Sequence, residues 1–358
     1  MPHHRARWAL ALAASSAVAR LGAAQDTTSN RAMSSIQLHG FLQIYYRTGD
    51  PTTRDGYRLR KADLKFSGEL SPRLRWRIGF DASKILALTK TTETVDSSTV
   101  LTDVAVDSRS RIVQDAALTL LLPHAMRLDV GQQIIPLSLE GTVPSSQIET
   151  IERTLFIVER SRATGLGDIR DIGASLNGTA ADAIEYHLGL FNETGESQNT
   201  TDPNDQKAVL GRVALHIPGM AHFQVGGSGG FQGGPPAGPQ RRERAGGEIQ
   251  YRDQYLTLRT ELMSARDAAL RRFGWYSLAS ARPTEQLQFV ARIDSWDRDL
   301  HSETALTDAY ERQIVAGTSY LFDGGVGKVA FNLVRQTFPR IHTVPAATFA
   351  LIAFQGVW

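Results

Sequence analysis

The chain predicts an all-β protein: a 16-stranded antiparallel transmembrane β-barrel with one long connection folded inward. Three observations predict it. Apolar and polar residues alternate in short runs along most of the chain, the period of a strand whose side chains leave on opposite faces. The connections between those runs alternate between short turns and long loops, as in an up-and-down barrel of the outer membrane. The last run ends on an aromatic residue, Trp358, suited to the interfacial girdle of such a barrel.

Composition narrows the alternatives. Charged residues make up 21 % of the 358 and hydrophobic ones 42 %, a balance that could hold two soluble domains or one large barrel. A formal net charge of +2 gives no reason to expect nucleic acid as a partner. Cysteine is absent, which removes disulfides, thiol catalysis and thiolate metal sites together. Apart from a weak candidate at the N-terminus, no apolar run reaches the roughly 20 residues of a membrane helix.

Residues 1–24 have the order of an export signal. His3, His4, Arg5 and Arg7 make a basic start, Trp8 to Ala19 is mostly apolar, and Gly22-Ala23-Ala24 supplies small residues for cleavage. The segment contains three arginines and no acid, so its removal leaves a mature chain near −1. Residues 25–35 form a polar tether, and 36–358 form the barrel.

The cleanest alternation lies between Tyr57 and Ala82. Leu74, Trp76, Ile78, Phe80 and Ala82 share one face, opposite Arg73, Arg75, Arg77 and Asp81. Ala62, Leu64, Phe66 and Leu70 likewise oppose Lys61, Asp63, Lys65, Ser67 and Glu69. Ser71-Pro72 joins the two as a tight turn, because proline presets the turn's φ. By itself this hairpin would suit a soluble sandwich with its arginines in water. In a barrel the same pattern is inverted, with the apolar face toward lipid and the arginines toward water inside.

The remaining chain decides between them. Strands are expected at about 36–47, 57–70, 73–83, 111–122, 125–133, 168–177, 183–193, 206–217, 221–232, 242–252, 255–266, 269–282, 285–297, 308–322, 325–337 and 347–358. Every second connection is a turn, including Pro123-His124, Pro218-Gly219-Met220, Asp253-Gln254 and Asp323-Gly324. A soluble sandwich has no reason to keep alternate loops short. Helical periodicity stands out only between Pro144 and Glu159, inside the long connection 134–167. That connection is the expected constriction, since sixteen strands enclose a wide aqueous channel unless something folds in.

If the apolar faces meet lipid, the lumen receives Lys61, Lys65, Arg73, Arg75, Arg77 and Arg127, with Arg212, Arg259 and Arg292 further along. Arg73, Arg75 and Arg77 would climb one wall in steps of roughly 6–7 Å. Guanidinium forks suit phosphate or carboxylate oxygens and keep their charge, so the row can pass an anion along. The lumen also gains Asp63, Glu69, Asp81, Asp115, Asp129, Glu185 and Glu248. A wall of mutually paired charges is the competing expectation. In the constriction the charges to watch are Glu140, Glu152, Arg153 and Arg160. The two arginines would either filter solutes or anchor the segment through neighbouring glutamates.

Certain blocks resemble a known family. Arg60-Lys61-Ala62-Asp63-Leu64-Lys65-Phe66-Ser67-Gly68, Phe80-Asp81, Gln114-Asp115-Ala116, Val130 through Glu140, and Ile151-Glu152-Arg153 resemble the phosphate-selective porin O and P family. The resemblance implies a sixteen-stranded, trimeric outer-membrane channel that passes phosphate or polyphosphate along an arginine ladder and a lysine cluster. It carries that basic path onto Lys61, Lys65, Arg73, Arg75 and Arg77.

Other signals are weaker. The glycine-rich run from Gly226 to Gly238 lacks the lysine and helix of a phosphate loop and reads as a flexible outer loop. Asp202, Asn204 and Asp205 lack a full calcium ligand set, and the histidines are scattered singly. No catalytic residue, metal or cofactor is expected. The expected protein is an exported outer-membrane barrel, in contact with lipid, through which small anions such as phosphate or polyphosphate diffuse. The rivals are a general, weakly selective porin and a secreted soluble β-protein that binds an anionic ligand. A barrel hydrolase has no residue pattern to support it.

Overall fold

The computed structural model describes residues 34–358 apart from 52–53, 85–87, 96–97, 107–111, 159–165, 193–206, 233–241, 268–269, 301–309 and 341–344; of 34–35, 88–106 and 232 it describes the backbone alone. The expected signal and tether lie almost wholly outside these residues.

Among the described residues eighteen strands follow one another: β1 (Ser34–Thr48), β2 (Gly56–Ser71), β3 (Leu74–Asp81), β4 (Leu88–Val95), β5 (Ser98–Val106), β6 (Val113–Leu121), β7 (Arg127–Ile134), β8 (Arg170–Ala180), β9 (Ile184–Phe191), β10 (Ala208–His216), β11 (Phe223–Gln232), β12 (Arg242–Arg252), β13 (Leu256–Asp267), β14 (Leu270–Ala281), β15 (Leu287–Asp297), β16 (Tyr310–Phe322), β17 (Gly327–Thr337) and β18 (Ala347–Val357). All but β4 and β5 pair antiparallel in sequence order and form a closed barrel of sixteen strands. Closure comes from β1 against β18, with Phe41 opposite Val357 and Thr48 opposite Ala350. Trp358 completes this seam, exchanging backbone hydrogen bonds with Gly40 at 2.8 and 3.1 Å.

Each expected barrel strand is present. The β4–β5 hairpin within connection 84–110 was not expected. Its sequence is rich in β-branched residues, which favour strands, but β4 has no apolar face for a period-two pattern to reveal.

Burial is inside out relative to a soluble sandwich. Leu64, Ile78, Leu118, Val130, Leu188, Val213, Ile249, Leu262, Phe289, Ile314, Phe331 and Phe354 are exposed on the outer face. Lys61, Asp81, Arg212, Glu248, Arg259, Glu261, Arg292 and Asp294 are buried on the inner one. Such a surface is stable only where hydrocarbon replaces water outside, and closure leaves no strand edge unpaired there.

Seven short turns mark one end of the barrel, and among the described residues five of the seven non-glycine positions with positive φ sit in them: His124, Ala125, Ala181, Asp182 and Asp323. The β12–β13 turn is held by Asp253, which accepts from the Tyr251 hydroxyl at 2.7 Å and the Tyr255 and Leu256 amides at 2.8 and 2.7 Å. These donors, the hydroxyl above all, keep the Asp253 carboxyl below its usual range.

Gly131 is fixed by geometry. Its φ is +130°, and a Cβ there would lie 2.2 Å from the Ala116 carbonyl oxygen of the paired strand. Gly131→Ala is therefore expected to cost about 1–3 kcal/mol. A matching fall in the temperature at which the heat-modifiable gel band converts would show it; an unchanged transition would refute the constraint.

The glycine run corrects the expectation of a loop. Gly226 to Gly230 lie within β11, and only 233–238 fall outside the described residues. Glycine is needed in this strand because a Cβ at Gly230 would meet the Val209 carbonyl oxygen at 2.0 Å.

From Ile135 the chain turns away from the wall. The expected helix between Pro144 and Glu159 is absent as a continuous element. Instead there are two single α-turns, α1 (Leu139–Thr142) and α2 (Leu155–Val158), and a 3-10 turn at Ser145–Gln147. The reason is competition for backbone donors. Ile151 N–H donates to Asn332 at 2.7 Å and Thr154 N–H to Glu140 at 2.9 Å, so side chains take bonds that a helix would need.

Candidate functional site

The inward segment, 135–158 with 166–169, is anchored to side chains from distant parts of the wall. Ser138 N–H donates to Ser228 of β11, and Leu139 and Glu140 N–H to Glu261 of β13 at 2.8 and 3.2 Å. Arg292 of β15 donates to the Thr150 hydroxyl and the carbonyls of Glu152 and Arg153 at 2.8, 2.7 and 3.3 Å. Lys328 of β17 donates to the Ile148 carbonyl and Gln355 of β18 to that of Ser146, each at 3.0 Å. From the opposite side of the seam, Arg60 of β2 pairs with Glu152 at 3.0 Å. Bonds to the inner faces of β2, β11, β13, β15, β17 and β18 place the segment within the barrel.

Apolar packing fixes it further. Leu137, Leu155, Phe156, Ile157 and Leu166 join inner-face Phe191, Met263, Tyr276 and Trp296 in one buried cluster. Ile151 joins a second, with Val315, Val334, Phe349 and Leu351. The segment thus occupies much of the lumen beside β13 to β18.

The open space lies on the other side. A cavity of about 860 Å³ is lined by β1 to β3, by β6 to β10 and by residues 142–147 of the segment. Lys65, Arg75, Arg77, Arg127, Arg153, Arg170 and Arg212 line it with Asp63, Asp115, Asp129, Asp168 and Glu185, seven full cations against five carboxylates.

Of the residues expected along the basic path, Lys65, Arg75, Arg77 and Arg127 face this cavity. Lys61 is 2 % exposed and bound to Asp81 at 3.1 Å. Arg73 falls in the β2–β3 turn, just outside β3, where the Ser71 hydroxyl accepts its N–H. The row is not a set of free donors. Arg75 pairs with Glu69 at 2.7 Å, directly across the strand pair, and Arg77 with Asp129 at 3.0 Å. Lys65 stands 3.8 Å from Asp115 and Arg127 3.6 Å from Asp129. Asp129 also accepts from Thr119 and, at 2.9 Å, from Asn177. The Lys65, Arg75 and Arg127 side chains are about half exposed, where an ion pair contributes little.

Of the charges expected at a constriction, Glu140, Glu152 and Arg153 are bound to backbone groups of the segment or to the wall. Arg153 is 2 % exposed and donates to the carbonyls of Glu140 and Val143 at 2.5 and 2.6 Å, with Asp168 at 3.4 Å. Among the described residues its partners include those two carbonyls, the Ser145 hydroxyl at 3.3 Å and Asp168. Glu140 is 2 % exposed and caps Thr154, and Glu152 is held by Arg60. Arg160 lies outside the described residues. Arg60, Glu149, Glu261, Lys328 and Asn332 escaped the sequence as site residues, because their partners are more than ninety residues away. Among the described residues no group of three or more His, Asp or Glu could hold a metal ion.

A closed barrel with an apolar outer face and a charged cavity beside an inward segment has the architecture of an outer-membrane porin. The family model for phosphate-selective porin O and P matches residues 36–228, just over half of the chain, and the chain belongs to that family. Solved porins share the fold. OmpF of Salmonella typhi, in complex with daunomycin, has a TM-score of 0.62 at 10 % identity, with 91 % of this chain and 98 % of that one covered. The channel DcaP of Acinetobacter baumannii has 0.59 at 11 % over 92 % and 99 %, and the trimer form of OmpT from Vibrio cholerae 0.58 at 11 % over 90 % and 99 %. No curated protein sequence matches the chain. Family and fold identify an outer-membrane channel.

Proposed function

We propose that this porin favours small anions, phosphate and polyphosphate among them, along the wall of Lys65, Arg75, Arg77 and Arg127. The observation that carries this is the excess of cations over carboxylates around the 860 Å³ cavity. Rings of one sign set the selectivity of a pore, and binding at each step must stay weak enough for release. The inward segment is the constriction: it fills one side of the lumen and leaves solutes the charged side. Residues 1–24 direct export and are removed, giving a chain that starts at Gln25. Three copies assemble in the membrane, as in the trimer form of the Vibrio cholerae OmpT.

A planar bilayer with a salt gradient tests this. The expected result is a reversal potential on the anion side, with chloride current reduced by added phosphate, from a crosslinkable trimer beginning at Gln25. An unselective pore indifferent to phosphate would leave a general porin, a second reading that the paired state of Arg75 and Arg77 favours. No channels from folded protein would remove the transport function.

A further inference from the structure

Two histidines that stand singly in the sequence come together in the barrel. His187 of β9 and His216 of β10 meet on one carboxylate, Glu185. His187 Nε2 lies 2.7 Å from Glu185 Oε1, and His216 Nε2 lies 3.6 Å from Oε2. Glu185 and His187 both line the 860 Å³ cavity. His187 is not part of the wall of Lys65, Arg75, Arg77 and Arg127.

The partners of His187 decide how many protons its ring carries. Its Nδ1 lies 2.9 Å from Asn177 Oδ1, directly across on β8. The Asn177 amide is held in one orientation. Its Nδ2 donates to the Asp129 carboxylate at 2.9 Å, and to the Ser175 hydroxyl and carbonyl at 3.1 and 3.4 Å. Turning the amide over would set its oxygen against a carboxylate and a carbonyl, which have nothing to donate. Asp129 is an acceptor here, since Arg77 donates to it at 3.0 Å. So Asn177 Oδ1 faces one ring nitrogen as an acceptor, and the Glu185 carboxylate faces the other. A neutral imidazole donates from one nitrogen only; donating from both takes the imidazolium. The other charges around the ring are Arg212, opposite on β10 and bound to Glu248 of β12 at 3.0 and 3.2 Å, and Arg127, opposite Asn177 on β7.

We infer that His187 is a specificity-determining residue of the channel, a titratable cation that strengthens anion preference at acid pH and withdraws as pH rises. When charged, it joins the seven full cations around the cavity and neutralises Glu185 at hydrogen-bond distance. Without its second proton, one ring nitrogen faces an acceptor lone pair to lone pair. Glu185 then keeps only His216, at 3.6 Å, which titrates as well. Histidine side chains change charge between about pH 5 and 8, which sets the window for the effect. Its bearing on selectivity rests on the proposed anion path through this cavity.

Reversal potentials of the whole barrel in a low-salt potassium chloride gradient test it, read from about pH 5.5 to about pH 9. At the acid end His187→Gln should lower the anion-to-cation permeability ratio about fivefold, the effect of one unit charge at about 4 Å through water. At the alkaline end variant and wild type should coincide. Comparing the two cancels His39, which also lines the cavity. His187→Arg, a cation with two donors that does not titrate, should hold the acid-end ratio across the range. The ¹⁵N resonances of the His187 ring, assigned by their loss in His187→Gln, should show both nitrogens protonated at the acid end. Heat-modifiable migration establishes that each variant is folded. A His187→Gln barrel that matches wild type at the acid end, or differs equally at both ends, overturns the role of His187. So does a ring with a single proton at the acid end. In each case a wild type that prefers anions leaves the path standing; a wild type without ion preference at any pH overturns path and role together.

Discussion

Arg292→Ala is expected to release the inward segment and enlarge the pore. Arg292 is 3 % exposed and holds Thr150, Glu152 and Arg153 while pairing with Asp294 at 3.0 Å. Removing it strips three anchors at once and leaves Asp294 buried without its counter-charge. Breaking one partner of a buried pair costs about 3–5 kcal/mol, which makes the detached segment about 10²–10⁴ times more populated. The barrel wall itself should persist, because its sixteen-strand ladder does not run through Arg292's side chain. Single-channel conductance should therefore rise and become noisier, and residues 139–158 should become open to protease while the heat-modifiable band remains. Normal conductance together with a protease-resistant segment would mean that the apolar cluster around Phe156 and Trp296 holds it without the arginine.

The barrel was legible because its outer face is. Leu74, Trp76, Ile78 and Phe80 alternate against charges, and a lipid-facing strand has little freedom to do otherwise. Alternation fails where the inner face is also apolar: β18 carries Phe349, Leu351 and Ala353 inward against Ala350, Ile352 and Phe354 outward. Those inner residues announce the protein that packs on them, a signal the sequence held and a period-two reading ignores. Pairing was partly readable too. The Ser71-Pro72 turn sets Glu69 across from Arg75, so that ion pair follows from hairpin register. Asp129 beside Arg77 does not, since it arrives on β7 across the intervening β6. The segment's irregular path was beyond local reasoning, because Asn332, Glu261 and Arg292 bind its backbone from 121 to 181 residues away.

On the proposed anion path, replacing Asp129 should shift selectivity in the direction opposite to replacing Arg77. Its carboxylate pairs with Arg77 at 3.0 Å and Arg127 at 3.6 Å, so it offsets two of the cations facing the cavity. Asp129→Asn keeps the shape and removes one negative charge. A monovalent ion passing at 4 Å through water feels about 1 kcal/mol from a unit charge, or about fivefold in permeability ratio. Asp129→Asn should thus move the anion-to-cation ratio up by about fivefold, and Arg77→Gln down by a similar factor. Because the Arg77 side chain is about one-third exposed, both shifts should fade as salt rises from 0.01 to 1 M and the screening length falls from about 30 to 3 Å. Reversal potentials at low salt measure this directly. Shifts of the same sign in the two variants, or none in either, would show that solutes pass without sensing this wall, and selectivity would have to be sought at the segment instead.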